Sequence, residues 1–180
     1  TFANDQWVLS FSSDTTRMRS AIYAWQEFDP GVTPSVVDDD GRMVLGSNAT
    51  DNGDGTWSYE YALYNMNSNR SIGAIFIPFP DGTTPTALGF HDVEHRENSW
   101  SVDDWTPVIT AGDINWSTDS YSVNPDANAI RWGTLYNFRF TCDAAPTNGP
   151  VYATPFKPGT GIVWTSDAPV PASASGCDPQ

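Results

Sequence analysis

The sequence predicts an all-β protein in which two sheets pack as a sandwich, with long loops and extended termini. Over most of residues 129–142, bulky apolar residues alternate with polar ones, which is typical of a strand with one buried face. Residues 57–66 show the same two-residue period. The chain also holds 14 Gly and 14 Pro, and only four of its 22 acidic residues are Glu. Because Gly, Pro and Asp favour turns over helix interiors, we expect many turns and few helices.

Further strands are expected where apolar residues lie between turn residues. In chain order they are residues 1–11, 20–28 with an extension over 32–37, 42–47, 71–79, 87–93, 113–116, 120–123, 151–156 and 162–165. Residues 20–28 also fit a helical stripe, and we favour a strand because a turn ends them and helix caps are missing. Residues 1–167 are expected to form one domain, followed by an extended Pro/Ala/Ser-rich tail over residues 168–180.

A corner between two strands is predicted at Gly133 and Thr134. With Ile130 before it and Tyr136 after it, this stretch resembles the tyrosine corner of immunoglobulin-like and fibronectin type III sandwiches, although Trp132 stands where proline is usual. The resemblance implies an immunoglobulin-like sandwich in which Tyr136 is buried and its hydroxyl bonds to the backbone just upstream.

A chain with a net charge of -14 repels nucleic acid and anionic membranes, so we expect neither as a partner. No apolar run approaches the roughly 20 residues that span a bilayer, so we expect no membrane insertion. Two cysteines are present, and in an exported protein Cys142 and Cys177 would pair as a disulfide. The chain begins at Thr1 without an apolar leader, which fits either a processed exported protein or a fragment.

Four blocks of the chain are distinctive in sequence: DGRMVLGSNATDNGDGTWSYEYALYNMNSNRS, GFHDVEH, WSTDSYSVNPDANAIRWGTLYNFRF and FKPGT. In this order they resemble blocks of a group of secreted bacterial proteins of unknown function. The resemblance covers roughly residues 21–161. It implies export by a bacterium to the extracellular space or cell surface, and a β-rich module that follows another region. It implies no catalytic residues.

Two acidic turns offer the hard oxygen ligands that calcium prefers. They contain Asp38, Asp39 and Asp40, and then Asp51 and Asp54. Neither matches an EF-hand loop, and acidic turns are also common without a metal. Calcium is therefore a candidate cofactor, with plain turns as the alternative.

His91 and His95 are four residues apart, a spacing that suits zinc only on a helix. Because they lie where a strand runs into a loop, we expect a surface loop instead. We find no nucleophile elbow and no cysteine–histidine pairing, and we expect a protein without enzymatic activity.

Eight tryptophans are many for this length, and exposed ones could stack on sugar rings. Trp100, Trp105 and Trp116 lie in the loop-rich part and are the candidate ligand-stacking residues, whereas Trp57 and two other tryptophans in predicted strands, Trp132 and Trp164, are expected in the core. The alternative is that all eight are buried in the core or in an interface.

These observations predict a non-catalytic extracellular structural or adhesion module. It would be a subunit of a surface layer or filament that contacts itself or a neighbouring domain by strand addition. The alternative is a carbohydrate-binding module that recognises polysaccharide through an exposed tryptophan platform.

Overall fold

The structure is a computed structural model that describes residues 2–3, 6–7, 17, 19–95, 99–160 and 163–172. Over these residues one helix, α1, spans Ala21–Phe28. The strands are β1 Phe2–Ala3, β2 Gln6–Trp7, β3 Thr33–Asp39, β4 Gly41–Asp51, β5 Trp57–Asn65, β6 Ile72–Pro78, β7 Thr86–His91, β8 Pro107–Ile109, β9 Asp113–Ser117, β10 Leu135–Cys142, β11 Pro146–Pro155 and β12 Trp164–Pro171.

The first sheet is antiparallel and has the strand order β3-β4-β5-β10-β7. The two best-patterned stretches of the sequence, β5 and β10, are neighbours in this sheet. Tyr59 lies opposite Phe140, and Tyr61 lies opposite Phe138. All four rings are buried, so the predicted half-buried strands are confirmed for both segments.

The second sheet is also antiparallel and has the order β12-β11-β6-β9-β8. Its inward side chains face those of the first sheet, which confirms the predicted all-β sandwich. On one side of the sandwich, β12 packs against β3. On the other side, Trp105 precedes β8 and stacks on Phe90 of β7 with ring centroids 5.7 Å apart.

Two buried tyrosines tie parts of the sandwich together through their hydroxyl groups. Tyr59 donates a hydrogen bond to the carbonyl of Ala144 at 2.8 Å, beyond the end of β10. Tyr61 donates to the carbonyl of Pro169 on β12 at 2.6 Å, and so links the two sheets. Because an unpaired buried hydroxyl costs stability, these bonds allow tyrosine to occupy the core.

The predicted corner is present between Ile130 and β10. Gly133 has φ of +81°, a left-handed conformation that favours glycine. Tyr136 is fully buried, and its hydroxyl lies 3.2 Å from the carbonyl of Ala129, which agrees with the geometry expected from the sequence.

The strand predicted over residues 20–28 is wrong, because Ala21–Phe28 is a helix. The N-cap Ser20 makes no side-chain capping bond, as the sequence indicated. The helix forms nevertheless because Ile22 is buried against Val44 and Ala62 on the first sheet. Tertiary packing of an apolar stripe therefore outweighs the missing cap.

Both termini differ from the prediction. The tail predicted to begin at Ala168 is wrong at its start, because β12 continues to Pro171 and buries Ala168 and Val170. Proline is tolerated there because β12 is an edge strand. At the other end, the described residues of the predicted strand over residues 1–11 form two short strands, β1 and β2, which pair with each other. The rest of that prediction lies outside the described residues.

Three short segments also depart from the predicted pattern. Residues 107–109 form β8 where no strand was predicted, and residues 146–150 extend β11. Residues 120–123 form turns instead of the predicted strand. Segments this short hold too few residues for the two-residue period to identify them.

Candidate functional site

The outer face of the first sheet carries polar side chains. Tyr59 and Tyr61 point into the core, so Glu60 between them points outward from β5. In β10, Asn137 and Arg139 alternate with buried aromatic residues and also point outward. These polar residues therefore face solvent on the central strands of a sheet whose other face is buried.

The strand register brings these side chains together with residues of β7. Two adjacent rows cross the outer face from β7 to β4. One row is His91, Asn137, Ala62 and Gly46, and the other is Gly89, Arg139, Glu60 and Asn48.

Helix α1 covers the β4 side of these rows and leaves the β7 side open. Ile22 sits above Gly46, where an added Cβ would lie 2.6 Å from Ile22 Cγ2. The same Cβ would lie 3.4 Å from Cε3 of Trp25, which is half-buried. The C-cap residue Asp29 accepts a hydrogen bond from Asn48 Nδ2 at 2.8 Å, which anchors the end of the helix to β4.

Gly89 provides the space in which Arg139 lies across β7. A Cβ at Gly89 would lie 2.5 Å from Nε and 2.8 Å from Cγ of Arg139. Arg139 is directly opposite Glu60 in register, yet the two side chains form no ion pair with each other. The carboxylate and the guanidinium therefore remain available side by side.

A groove of about 330 Å³ opens beside the helix. Trp25 forms one wall, and the polar side chains that line it are Glu60, His91, Asn137 and Arg139. Within the part of the chain that the structure describes, none of these four side chains makes a hydrogen bond. The volume lies within the range of small-molecule sites, roughly 300–1,000 Å³. The groove thus combines a half-buried indole with unpaired donors and acceptors, and we take it as the candidate site.

The ligand-stacking role predicted for Trp105 and Trp116 is wrong, because both side chains are fully buried in the core. The expected core position of Trp164 is confirmed, but Trp132 is 68% exposed. The corner at Gly133 turns the chain immediately after Trp132, so the side chain leaves the alternating pattern.

Trp105 is held in the core by a polar cluster around Asn128. Trp105 Nε1 donates to the backbone carbonyl of Asn128 at 2.5 Å, and the Tyr136 hydroxyl donates to Asn128 Oδ1 at 2.5 Å. Asn128 Nδ2 donates to the carboxylate of Asp92 and to the carbonyl of Asp103. Burial raises the pKa of Tyr136, so its hydroxyl stays protonated as a donor. This cluster is structural and fixes the loop that contains Trp105.

Trp100 is half-buried and packs against charged and aromatic neighbours. The guanidinium carbon of Arg131 lies 4.7 Å from the Trp100 ring centroid and 5.1 Å from that of Phe156. The ring of His95 meets Trp100 edge-on at 5.1 Å, and burial lowers the pKa of His95. Since Arg131 lies over its ring, Trp100 serves cation–π packing more evidently than ligand stacking.

The acidic residues considered for calcium are engaged in turn and strand contacts. Asp38 forms a two-pronged ion pair with Arg42 at 2.7 and 2.8 Å, which lowers the pKa of Asp38. Asp40 lies 3.5 Å from Arg70, and Asp39 ends β3. The other two carboxylates accept backbone hydrogen bonds within the next turn, Asp51 from Gly53 and Asp54 from Thr56.

Among the described residues, no group of three or more His, Cys, Asp or Glu side chains could hold a metal ion. His91 is exposed and lines the groove, whereas His95 lies 3.4 Å from the Tyr136 hydroxyl. The two histidines therefore have different surroundings. Calcium binding at the acidic turns stays a prediction.

Cys142 is buried at the end of β10, and burial raises the pKa of its thiol. Its predicted partner Cys177 lies outside the described residues. The disulfide therefore stays a prediction.

Sequence reasoning missed the candidate groove although it placed some of its residues on outward faces. The two-residue period predicts that Glu60, Asn137 and Arg139 point away from the core. It does not show that β7 pairs with β10, and the predicted strand over residues 20–28 hid the role of Trp25. The helical spacing of Ile22 and Trp25 was the signal for that wall.

Comparisons with known proteins give limited similarity. No protein-family model matches the chain, and no curated protein matches it. A solved structure of the serine-rich repeat adhesion glycoprotein Srr1 from Streptococcus agalactiae is similar at 14% identity and a TM-score of 0.40. The match covers 79% of this chain and 51% of that chain, so this chain spans about half the length of its neighbour. The described residues contain no helix of the length and apolarity needed to cross a membrane.

Proposed function

We propose that this domain is a non-catalytic adhesion module of a protein that a bacterium exports, and that it contacts its partner through the groove beside α1. The observation that carries the proposal is the set of unpaired polar side chains gathered there. Glu60 and Arg139 lie opposite each other without pairing, and Asn137 lies in the adjacent row. Clustered donors and acceptors beside an aromatic wall are typical of ligand-binding surfaces.

The chemistry of the groove favours binding over catalysis. Glu60 is the one carboxylate among the described residues that line it. Glycoside hydrolysis generally uses two carboxyl groups that flank the scissile bond. A carboxylate beside a guanidinium and an amide forms a hydrogen-bonding set instead.

Binding to an array of immobilised polysaccharides and surface proteins tests this function. We expect the domain to be retained by at least one probe. The double variant Asn137→Ala/Arg139→Ala should bind that probe at least tenfold more weakly. Arg42→Ala is the matched control, because Arg42 lies on β4 outside the groove and its removal changes the net charge by the same amount as that of Arg139. No retention of the domain, or equal retention of all three proteins, would contradict the proposed function.

A second candidate function is assembly between copies by strand addition. It is favoured by β8, an edge strand on which Val108 is 51% exposed and Ile109 is 48% exposed. An exposed apolar edge can pair with a strand from another chain.

A further inference from the structure

We infer that the ligand of the groove is an uncharged sugar unit of a polysaccharide, stacked on Trp25 and bound by Glu60, Asn137 and Arg139. This inference rests on the proposed function and specifies its ligand class. It moves the sugar site from the loops around Trp100 to the outer face of the first sheet.

The charges of the groove favour a group that both donates and accepts hydrogen bonds. Arg139 offers only donors, and Glu60 as a carboxylate offers only acceptors. A sugar hydroxyl can accept from the guanidinium while it or its neighbour donates to the carboxylate. Asn137 offers both functions in the adjacent row. A vicinal diol therefore satisfies all three side chains at once.

The charge balance also discriminates between sugar classes. The charges of Glu60 and Arg139 cancel, so the groove attracts neither anions nor cations strongly. Because Glu60 and Arg139 lie directly opposite each other, the carboxylate of a uronic acid bound to Arg139 would also lie near Glu60 on a chain whose net charge is -14. The ammonium of an amino sugar bound to Glu60 would likewise lie near Arg139. An uncharged ring meets neither repulsion.

The aromatic wall is held in place before a ligand arrives. Trp25 packs with Ile22, Val44 and Ala62 in the small apolar cluster between helix and sheet. A Cβ at Gly46 would lie 3.4 Å from Cε3 of Trp25, so the absence of that side chain lets the indole lie close to the sheet. A fixed indole face can stack on the apolar face of a sugar ring with little loss of conformational entropy.

The floor of the groove is equally fixed by the core beneath it. Phe90 of β7 packs on Phe138 of β10 with ring centroids 5.6 Å apart. This contact lies beneath the two strands that carry His91, Asn137 and Arg139. Gly89 then sets the position of Arg139 across β7. The site is therefore built on paired strands and one packed helix.

Affinity electrophoresis and calorimetry on the full chain test the ligand class. The probes are four uncharged polysaccharides (a glucan, a mannan, a galactan and a xylan), a polyuronate and chitosan. At a salt concentration that screens the net charge of -14, we expect at least one uncharged probe to bind and both charged probes to bind more weakly. Glu60→Gln, Arg139→Ala and Trp25→Ala should each weaken binding at least tenfold, whereas Arg42→Ala should not.

Gly89→Ala provides the sharper variant, because it removes no group that touches the ligand. Its Cβ displaces Arg139, and we expect at least a fivefold loss of binding while the melting temperature of the domain stays close to that of the wild type. Gly89→Ala therefore distinguishes a loss of binding in the groove from the general loss of folding that Trp25→Ala can cause.

The outcomes distinguish this inference from the function on which it rests. Preferential binding of the polyuronate, or retention by a protein probe alone, with loss in Arg139→Ala, would overturn the uncharged-sugar inference and leave the groove as the adhesion site. Sugar binding that none of the groove variants weakens would overturn both. Absence of binding to all four uncharged polysaccharides would overturn the inference.

Discussion

At the scale of single residues, the buried side chain of Asn128 connects segments that are far apart in sequence. Its amide accepts from Tyr136 of β10 and donates to Asp92 after β7 and to the carbonyl of Asp103 before β8. Its own carbonyl accepts from Trp105. In a buried network, the loss of one partner leaves another polar group without its hydrogen bond, and this destabilises the folded state.

Replacing Tyr136 with Phe should therefore destabilise the domain. The change keeps the buried ring but leaves Asn128 Oδ1 without its hydroxyl donor. We expect the free energy of unfolding to fall by roughly 1–3 kcal/mol, measured by urea denaturation.

Tyr152→Phe is the matched control for this change. Tyr152 is half-buried on β11, and its hydroxyl makes no hydrogen bond with any described residue. Its removal should change the free energy of unfolding by less than about 0.5 kcal/mol. Equal effects of the two substitutions would contradict the role given to the Tyr136 hydroxyl.

The tryptophans show which residue properties can be predicted from the sequence. Trp164 lies in an alternating strand, and its burial follows from the pattern. The burial of Trp105 depends on Asn128, which is distant in the chain, so no local pattern could indicate it. The exposure of Trp132 depends on a single turn at Gly133, whose effect on the preceding side chain the two-residue period does not describe.

At the scale of elements, the contact between α1 and the first sheet places Trp25, which forms one wall of the candidate groove. The helix has only eight residues, and isolated helices of this length are marginal in water. It depends on the close approach of Ile22 to β4, which the absence of a side chain at Gly46 permits. Residues on both elements are therefore required to place Trp25 beside the groove.

Gly46→Ala should force the helix away from the sheet. The added Cβ would lie 2.6 Å from Ile22 Cγ2, and a β-branched side chain has few rotamers with which to avoid it. We expect a loss of about 1–3 kcal/mol in the free energy of unfolding, as for other overpacked sites, together with weaker ligand binding in the groove.

Gly112→Ala serves as the control for this substitution. A Cβ at Gly112 would meet no atom within 4 Å, and its φ is not in the left-handed range. The variant should be neutral or slightly more stable than the wild type, because alanine lowers the entropy of the unfolded chain. If Gly46→Ala behaved in the same way, the proposed contact between helix and sheet would be wrong.

The elements predicted best are those whose own residues determine them. The strands β5 and β10 follow from the alternation of buried aromatics with exposed polar residues. The helix α1 was missed because it depends on a surface formed by distant segments. The strand β8 was missed because its three residues are too few to show a two-residue period. The groove was missed for the same reason as the helix. The two-residue period shows that Arg139 points outward, but only the pairing of β7 with β10 places it beside Gly89.

At the scale of the whole molecule, a net charge of -14 acts against association between copies. The edges of the sheets differ in how well they are protected from pairing. The edge β12 carries Pro169 and Pro171 and packs against β3, which ends in acidic residues. The edge β8 presents Val108 and Ile109 with about half of each side chain exposed. Association by strand addition would therefore use β8 more readily than β12.

Self-association should strengthen as salt is added, because ions screen the repulsion between acidic copies. The screening length falls from about 10 Å at 0.1 M salt to about 3 Å at 1 M. We expect the mass measured by light scattering to rise across this range. Removing residues 1–11 or residues 173–180 tests whether a terminal segment supplies the added strand, and both deletions leave β12 intact.

Val108→Lys separates edge pairing from charge screening. It reduces the net negative charge, so electrostatics alone would favour association, yet a lysine on an edge strand blocks strand addition. Thr165→Lys makes the same change in charge on an exposed position of β12 and serves as the control. Assembly through β8 predicts that Val108→Lys remains a monomer at high salt while Thr165→Lys associates at least as well as the wild type. A wild-type chain that is monomeric at every salt concentration would contradict assembly, and the groove would then remain as the contact face of the domain.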